Sequence, residues 1–191
     1  ATDPDGLSNN QTVSVAVTDV NETISGKLID GYIGGATVFQ DLDNDGVLDA
    51  GEPYTTTDAV GAFSLTLQSP SPDAPVRVVN SGFDTATNDV LTASLDISAT
   101  SSGSYILTPL STLAARLLSF DSDLYKDDAE KIVADAFGIN LTNAPSNSLF
   151  GYDPIATMIG DDPTLASKAQ PIYTANQLLM TLGNLTSALG E

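Results

Sequence analysis

The chain has 191 residues, of which 25 are Asp or Glu and 6 are Lys or Arg, so its formal net charge is -19. Cysteine and histidine are both absent, which excludes disulfides, thiolate metal sites, cysteine nucleophiles and serine–histidine–aspartate catalysis. A surface of this charge repels nucleic acids and anionic membranes, and no apolar run reaches transmembrane length. Because hydrophobic residues still make up 41% of the chain, we expect a folded domain that is not an enzyme, binds no nucleic acid and inserts into no membrane.

Residues 1–22 predict a strand followed by an acidic linker. In QTVSVAVTDV, the residues Val13, Val15 and Val17 share one face, as in a half-buried strand. With ATDPDG before it and DVNE after it, the segment resembles the end of a bacterial cadherin-like repeat; the alternative is a β-turn and an ordinary linker. In such repeats an acidic turn and a D-x-N-E linker share calcium between neighbouring domains. The resemblance implies a linker metal site formed by Asp3, Asp5, Asp19, Asn21 and Glu22.

Residues 23–107 have the pattern of short strands separated by turns. Apolar residues alternate along GAFSLTLQ, at Phe63, Leu65 and Leu67, and along VLTASLDI, and the segments ATVFQD, PVRVVN and SYILT are predicted as further short strands. This spacing favours a small antiparallel β-sandwich.

Residues 108–191 change to a helical period. PLSTLAARLLSF and DDAEKIVADAFG are apolar at helical spacing, and in the second of these we expect Ile132, Val133, Ala136 and Phe137 to face inward. Two further helices are expected to start at Asp153-Pro154 and Asp162-Pro163, where an acidic N-cap precedes proline at the first helical position. Pro171 should kink or interrupt the last helix. The predicted fold class is α+β, with the small sandwich followed by a helical C-terminal part packed on it.

The sharpest motif is DLDNDGVLDAGE, residues 41–52. Oxygen ligands fall at positions one, three, five, seven, nine and twelve of a twelve-residue loop, and Gly46 occupies position six, where the chain must turn sharply. A strand-like segment precedes the loop and Pro53 follows it, so we expect a calcium site on a β-hairpin rather than between two helices; the alternative is a solvated acidic turn. The predicted ligands are Asp41, Asp43, Asp45, the carbonyl of Val47, Asp49 and Glu52.

A second candidate site lies in the loop GFDTATND. Its oxygen-bearing side chains could hold another calcium ion or hydrogen-bond a ligand, and the alternative is a surface loop whose side chains bond their own backbone. The residues concerned are Asp84, Thr85, Asn88 and Asp89.

The sequence has few positively charged side chains, so the residues that could bind a negatively charged ligand can be named. Arg77 and Arg116 are the guanidinium groups of the sequence, and capture of a carboxylate requires positive charge or donor groups. We therefore expect Arg77, Arg116 and the aromatic Tyr152 as candidate ligand contacts, with calcium assisting at the site.

The segment GKLIDGYIGGATVFQDLDNDGVLDAGEPYTTTDAVGAFSL resembles the B-type repeats of Gram-positive surface proteins and carboxypeptidase-regulatory-like domains. The continuation through NSGFDTATND, LTPLSTLAARL, FGIN and GYDPIATM resembles a unit of giant RTX adhesins of Gram-negative bacteria. Together the two stretches cover nearly residues 24–189.

The resemblance implies a calcium-dependent module on the outer surface of a Gram-negative bacterium, near the distal end of an adhesin. Some members of that group bind the C-terminal ends of partner proteins, so the implied partner is a peptide or protein on a host or neighbouring cell. The implied organisation is an end strand and linker at 1–22, a calcium-binding sandwich at 23–107 and a helical subdomain at 108–191 that completes a monomeric module next to other adhesin domains. The alternative is a structural extender that calcium stiffens.

Overall fold

A computed structural model describes residues 21–68, 74–79, 82–98, 103–143 and 148–189. The predicted strand around Val13 to Val17 and the predicted linker ligands Asp3, Asp5 and Asp19 lie outside these ranges. Asn21 and Glu22 lie at their start, in the extended segment that leads into the first strand.

The strands of the described part all precede residue 108 and form three small sheets. The sheet orders are β5-β1-β9, β2-β7 and β4-β3-β6-β8. All pairings are antiparallel except that of β1 with β9, which corrects the prediction of a purely antiparallel sandwich. A parallel pairing is possible because most of the β segment, from β2 to β8, lies between β1 and β9 in the chain. The strands are β1 Thr23–Leu28, β2 Ile33–Gly34, β3 Thr37–Gln40, β4 Tyr54–Thr56, β5 Ala62–Thr66, β6 Val76–Val78, β7 Phe83–Asp84, β8 Leu95–Ile97 and β9 Gly103–Leu107.

The helices follow, and local sequence signals fix their starts. Thr108 and Ser111 form a reciprocal capping box at the first helix. Asp153 accepts a hydrogen bond from Ala156 N at 2.9 Å, and Asp162 accepts one from Thr164 N at 2.8 Å, which confirms the two predicted N-caps. The helices are α1 Pro109–Phe120, α2 Lys126–Ala136, α3 Pro154–Met158 and α4 Pro163–Leu189, with a short 3-10 turn at Leu141–Asn143.

Strands and helices share one hydrophobic core. Its buried members run from Ile24 in β1 to Met180 in α4, and Leu107 and Leu110, both fully buried, join the end of β9 to the start of α1. The buried amide of Asn176 accepts a hydrogen bond from Leu110 N at 2.9 Å, which ties α4 to the first turn of α1. The predicted α+β class is therefore confirmed, with the helices packed on the strands. Within the described ranges, we find no helix with the length and apolar character that a membrane crossing requires.

Two helix predictions were wrong in detail. Val133 is buried as predicted and Phe137 packs partly buried against the core, but Ile132 and Ala136 are exposed. The buried residues of α2 are Ala129, Glu130, Val133 and Ala134. Apolar residues occur on two adjacent faces of α2, one with Ile132 and one with Val133. Packing against the rest of the molecule decides which of these faces is buried. The last helix also continues through Pro171 without the predicted interruption, and a kink at this residue stays a prediction. Pro171 lies on the exposed side of α4, where water can bond the carbonyl that proline leaves without a partner.

An ion pair joins the three-stranded sheet to the start of α3. Lys27 Nζ in β1 lies 2.9 Å from Asp153 Oδ2, and both side chains are partly buried. Replacing Lys27 by Met should therefore lower the free energy of unfolding by about 1 kcal/mol, more than a fully exposed pair would lose. The matched control is Lys131→Met, since Lys131 pairs with Asp135 on the open surface of α2. Urea unfolding measures the free energy of unfolding of both variants. An equal decrease in the two variants would contradict the larger contribution expected of the Lys27–Asp153 pair.

Candidate functional site

The acidic loop 41–52 connects β3 to β4, which pair antiparallel, so the loop lies on a β-hairpin. Three residues of the loop have a positive φ: Asn44 at 61°, Gly46 at 85° and Gly51 at 106°. Glycine adopts this conformation at no steric cost, and asparagine tolerates it better than most residues. The reversal folds the aspartates at positions one, three and five toward each other.

Three carboxylates converge in this loop. One oxygen each from Asp41, Asp43 and Asp45 lies within 4.8 Å of the other two. Backbone N–H groups orient them, because Gly46 N donates to Asp41 Oδ2 at 2.9 Å and Val47 N donates to Asp45 Oδ1 at 2.7 Å. These three aspartates are a group that could hold a metal ion.

The remaining predicted ligands lie on the same loop, outside that group. The Glu52 side chain is nearly buried and turns back over the loop, accepting from Leu42 N at 2.6 Å and from Asp49 N at 3.0 Å. The side chains of Val47 and Asp49 are exposed. The loop is therefore closed at its base by Glu52, while Asp43, Asp45 and Asp49 reach solvent.

The acids of the loop repel each other. Reduced hydration and the nearby carboxylates of Asp45, Asp49 and Glu52 raise the pKa of Asp43, against a backbone hydrogen bond from Asp45 that lowers it. A cation between the carboxylates would remove this repulsion.

Arg77 provides a contact to the loop that the sequence did not indicate. Its Nε lies 2.8 Å from Asp41 Oδ2, and Asp41 is fully buried. Its Nη2 donates to Asn44 Oδ1. Arg77 was predicted as a ligand contact, and the structure places it against the acidic loop, on β6, one of the two inner strands of the four-stranded sheet.

The two arginines of the sequence meet at one cavity. Arg77 and Arg116 both line a space of about 270 Å³ together with Asn44 of the loop. Tyr152, the third predicted contact, is elsewhere: its side chain is only 4% exposed and belongs to the core. It is thus withdrawn from solvent and does not line this cavity.

The second predicted site, the loop 84–89, largely bonds to itself. Asp84 Oδ1 accepts from Ala86 N at 2.8 Å, and Thr87 Oγ1 accepts from Asp89 N at 3.3 Å. Thr85 N donates to the Tyr32 carbonyl at 3.0 Å, and Asn88 has a left-handed φ of 64°. Within the described residues, none of these acids belongs to a cluster of three with metal-ligand spacing, so the geometry matches the surface-loop alternative.

This loop nevertheless borders a larger cavity with an acid that sequence reasoning missed. Asp30, Asp84 and Asp89 line a space of about 490 Å³ against α4. Gln177 Nε2 of α4 donates to Asp30 Oδ1 at 2.8 Å. Burial, with a further contribution from the negative charge of Asp84, raises the pKa of Asp30 to about 7, while the Gln177 hydrogen bond opposes the shift. No local motif marks Asp30, because its partners come from the far end of the chain.

Comparison with known proteins identifies no relative. No family model matches the chain, and no curated protein and no solved structure matches it.

Proposed function

We propose that this chain is a calcium-dependent ligand-binding module of a bacterial surface adhesin. The observation that supports it best is the convergence of Asp41, Asp43 and Asp45 within a twelve-residue loop that has glycine at position six and glutamate at position twelve. Oxygen-only ligands on a flexible loop suit calcium, which takes six to eight oxygens, better than magnesium, which keeps much of its water.

The flanking elements favour a structural role for the ion. The loop joins β3 to β4 and bonds to β6 through Arg77, so there is no pair of helices to open on binding. Calcium in this position would fix the hairpin and offset part of the repulsion in a chain of charge -19. Millimolar free calcium is found outside cells, which agrees with the proposed location at the surface of a Gram-negative bacterium.

A ligand-binding role is favoured over a stalk extender by the cavity between the β and helical segments. Both guanidinium groups of the chain line it, and a bidentate guanidinium–carboxylate contact is a strong and specific one. The ligand proposed from the adhesin resemblance is the C-terminal end of a peptide or protein on a host or neighbouring cell. We propose that the module acts as a monomer linked to other adhesin domains and catalyses no reaction. An extender would need only the calcium loop and end-to-end contacts.

Immobilised peptides with free and amidated C-termini, probed with the protein in calcium and in EDTA, test this proposal. Binding that requires both calcium and the free carboxylate supports the ligand-binding module. Loss of thermal stability in EDTA without binding to any peptide favours the extender. Binding and stability that are both insensitive to EDTA would contradict both functions.

A further inference from the structure

The tripeptide Asn-Leu-Thr occurs twice in the chain, at residues 140–142 and at residues 184–186. Asparagine followed two positions later by serine or threonine, with any residue except proline between them, is the acceptor pattern for N-linked sugars. Two more copies of the pattern begin at Asn10, which lies outside the described ranges, and at Asn21. Because the two Asn-Leu-Thr segments contain the same residues, any difference in their reactivity comes from the structure around them.

The end of α2 places Asn140 at the surface. Gly138 ends the helix with a left-handed φ of 67°, and its N donates to the Asp135 carbonyl at 3.1 Å. The next residue, Ile139, donates from its N to the Ala134 carbonyl at 2.8 Å, which completes a Schellman cap. Ile139 is anchored in the core, whereas Asn140, which follows it, is exposed.

The side chains of Asn140 and Thr142 form a closed turn. Thr142 N donates to Asn140 Oδ1 at 3.0 Å, and Thr142 Oγ1 donates to the same oxygen at 2.6 Å. The oxygen and nitrogen of a carboxamide point in different directions from the carbon that joins them, so Nδ2 points away from Thr142. Two donors on the carbonyl oxygen also stabilise the negative charge that this oxygen gains as Nδ2 gives up a proton. The turn therefore presents Nδ2 as a nucleophile.

The same tripeptide at residues 184–186 has a different arrangement, because it lies inside α4. Side chains two positions apart on a helix do not face each other. Thr186 Oγ1 donates back to the Gly183 carbonyl at 2.9 Å, and Asn184 Oδ1 accepts from Thr92 Oγ1. The asparagine and the threonine thus have separate partners and do not form the turn seen at residues 140–142.

A depression beside Asn140 has room for a sugar. Its volume is about 590 Å³, and Asn140 and Thr142 border it together with residues of α2; clefts of about 300–1,000 Å³ accommodate small-molecule ligands. Asp127, Lys131 and Asp135 line the same depression, and their charged groups can form hydrogen bonds with sugar hydroxyls. A hexose attached to Asn140 therefore has both space and hydrogen-bonding partners.

We propose that Asn140 is a site of N-linked glycosylation on the folded protein, in preference to Asn184. The donor is a nucleotide-activated hexose, and a glycosyltransferase supplies the base. Asn140 Nδ2 forms a bond to the anomeric carbon of the hexose, the bond from that carbon to the diphosphate oxygen breaks, and the nucleoside diphosphate leaves with the bonding electron pair. One Nδ2 proton passes to the base of the transferase. The site is separate from the loop 41–52, so the modification does not depend on calcium.

The experiment uses the full chain, UDP-glucose and a soluble N-glycosyltransferase that modifies two synthetic peptides, residues 139–143 and residues 183–187, at similar rates. Mass spectrometry of proteolytic peptides then gives the initial rates of hexose transfer to Asn140 and Asn184 in the folded protein. We expect transfer to Asn140 to be at least about tenfold faster, because α4 must open locally before Asn184 and Thr186 can meet, and local opening costs free energy.

Matched variants test the assignment. Asn140→Gln should lose the hexose at this position without a gain at Asn184, and Asn184→Gln should leave the rate at Asn140 unchanged. Thr142→Ser keeps the hydroxyl and should still be modified at Asn140, whereas Thr142→Val has a similar shape without the hydroxyl and should not. Equal rates at Asn140 and Asn184 in the folded protein would overturn the proposal. So would an unmodified Asn140 in the protein when the peptide of residues 139–143 is modified.

Discussion

In 10 mM calcium the protein should melt about 3–10 °C higher than in EDTA. Extracellular calcium modules bind with dissociation constants of about 10⁻⁴–10⁻³ M, so this concentration is roughly ten to one hundred times the dissociation constant. Preferential binding to the folded state then adds about 1.4–2.7 kcal/mol, and for a domain of this size each kcal/mol raises the melting temperature by about 2–4 °C. Differential scanning calorimetry at constant ionic strength measures the shift.

A variant of the exposed loop acids separates calcium binding at the loop from the screening of surface charge by calcium elsewhere on the protein. Asp43 and Asp45 are exposed, whereas Asp41 and Glu52 are buried, so Asp43→Asn combined with Asp45→Asn should preserve the fold. The double variant should lose most of the calcium response and melt no lower than the wild type in EDTA, since two repelling charges are gone. The control pair Asp123→Asn and Asp161→Asn removes the same charge from exposed positions outside the loop. If calcium raised the melting temperature of the loop variant and of the control pair equally, the proposed calcium site in the loop 41–52 would be refuted.

Replacement of Asp30 by Asn should stabilise the protein at pH 8 by about 1–3 kcal/mol, after allowance for solvent screening of a shift of this size. The pKa of Asp30 is raised from 3.8 to about 7, so the folded state holds a proton that the unfolded state has released between these values. Stability therefore falls as the pH rises through this window, and above it the cost of a charged Asp30 is fully present. Asparagine has no such cost, and its carbonyl can still accept the hydrogen bond from Gln177.

Urea unfolding from pH 4 to pH 8 checks the sign as well as the size. The advantage of Asp30→Asn should vanish near pH 4 and grow toward pH 8. Asp161→Asn, at an exposed position of the helical segment, should follow the wild-type profile. A stabilisation by Asp30→Asn that does not depend on pH would mean that Asp30 is charged throughout this range.

Structural features that depend only on residues close together in the chain could be predicted from the sequence. The loop 41–52 is one, because ligand spacing and the glycine at position six act within twelve residues. The helix starts at Asp153 and Asp162 are another, because an N-cap bonds to N–H groups only two or three positions ahead. The alternation of Phe63, Leu65 and Leu67 likewise placed their side chains in the core, since a strand has a period of two.

Features that depend on distant partners could not be predicted in this way. The buried face of α2 is one case. Ile132 and Val133 are both apolar, so the sequence pattern does not decide which of them is buried, and in the folded protein it is Val133. Tyr152 is another, because a tyrosine in a polar segment can lie at the surface or, as here, in the core.

By itself, the sequence determined the acidic loop, the change from strands to helices at residue 108 and the lack of histidine and cysteine chemistry. Tertiary structure alone decided that Arg77 pairs with Asp41, that Arg116 joins it at one cavity, and that Asp30 meets Gln177 across 147 positions of the chain. The physical reason is that hydrogen-bond caps and loop ligands act over a few residues, whereas charge pairing and burial depend on which surfaces the folded core brings together.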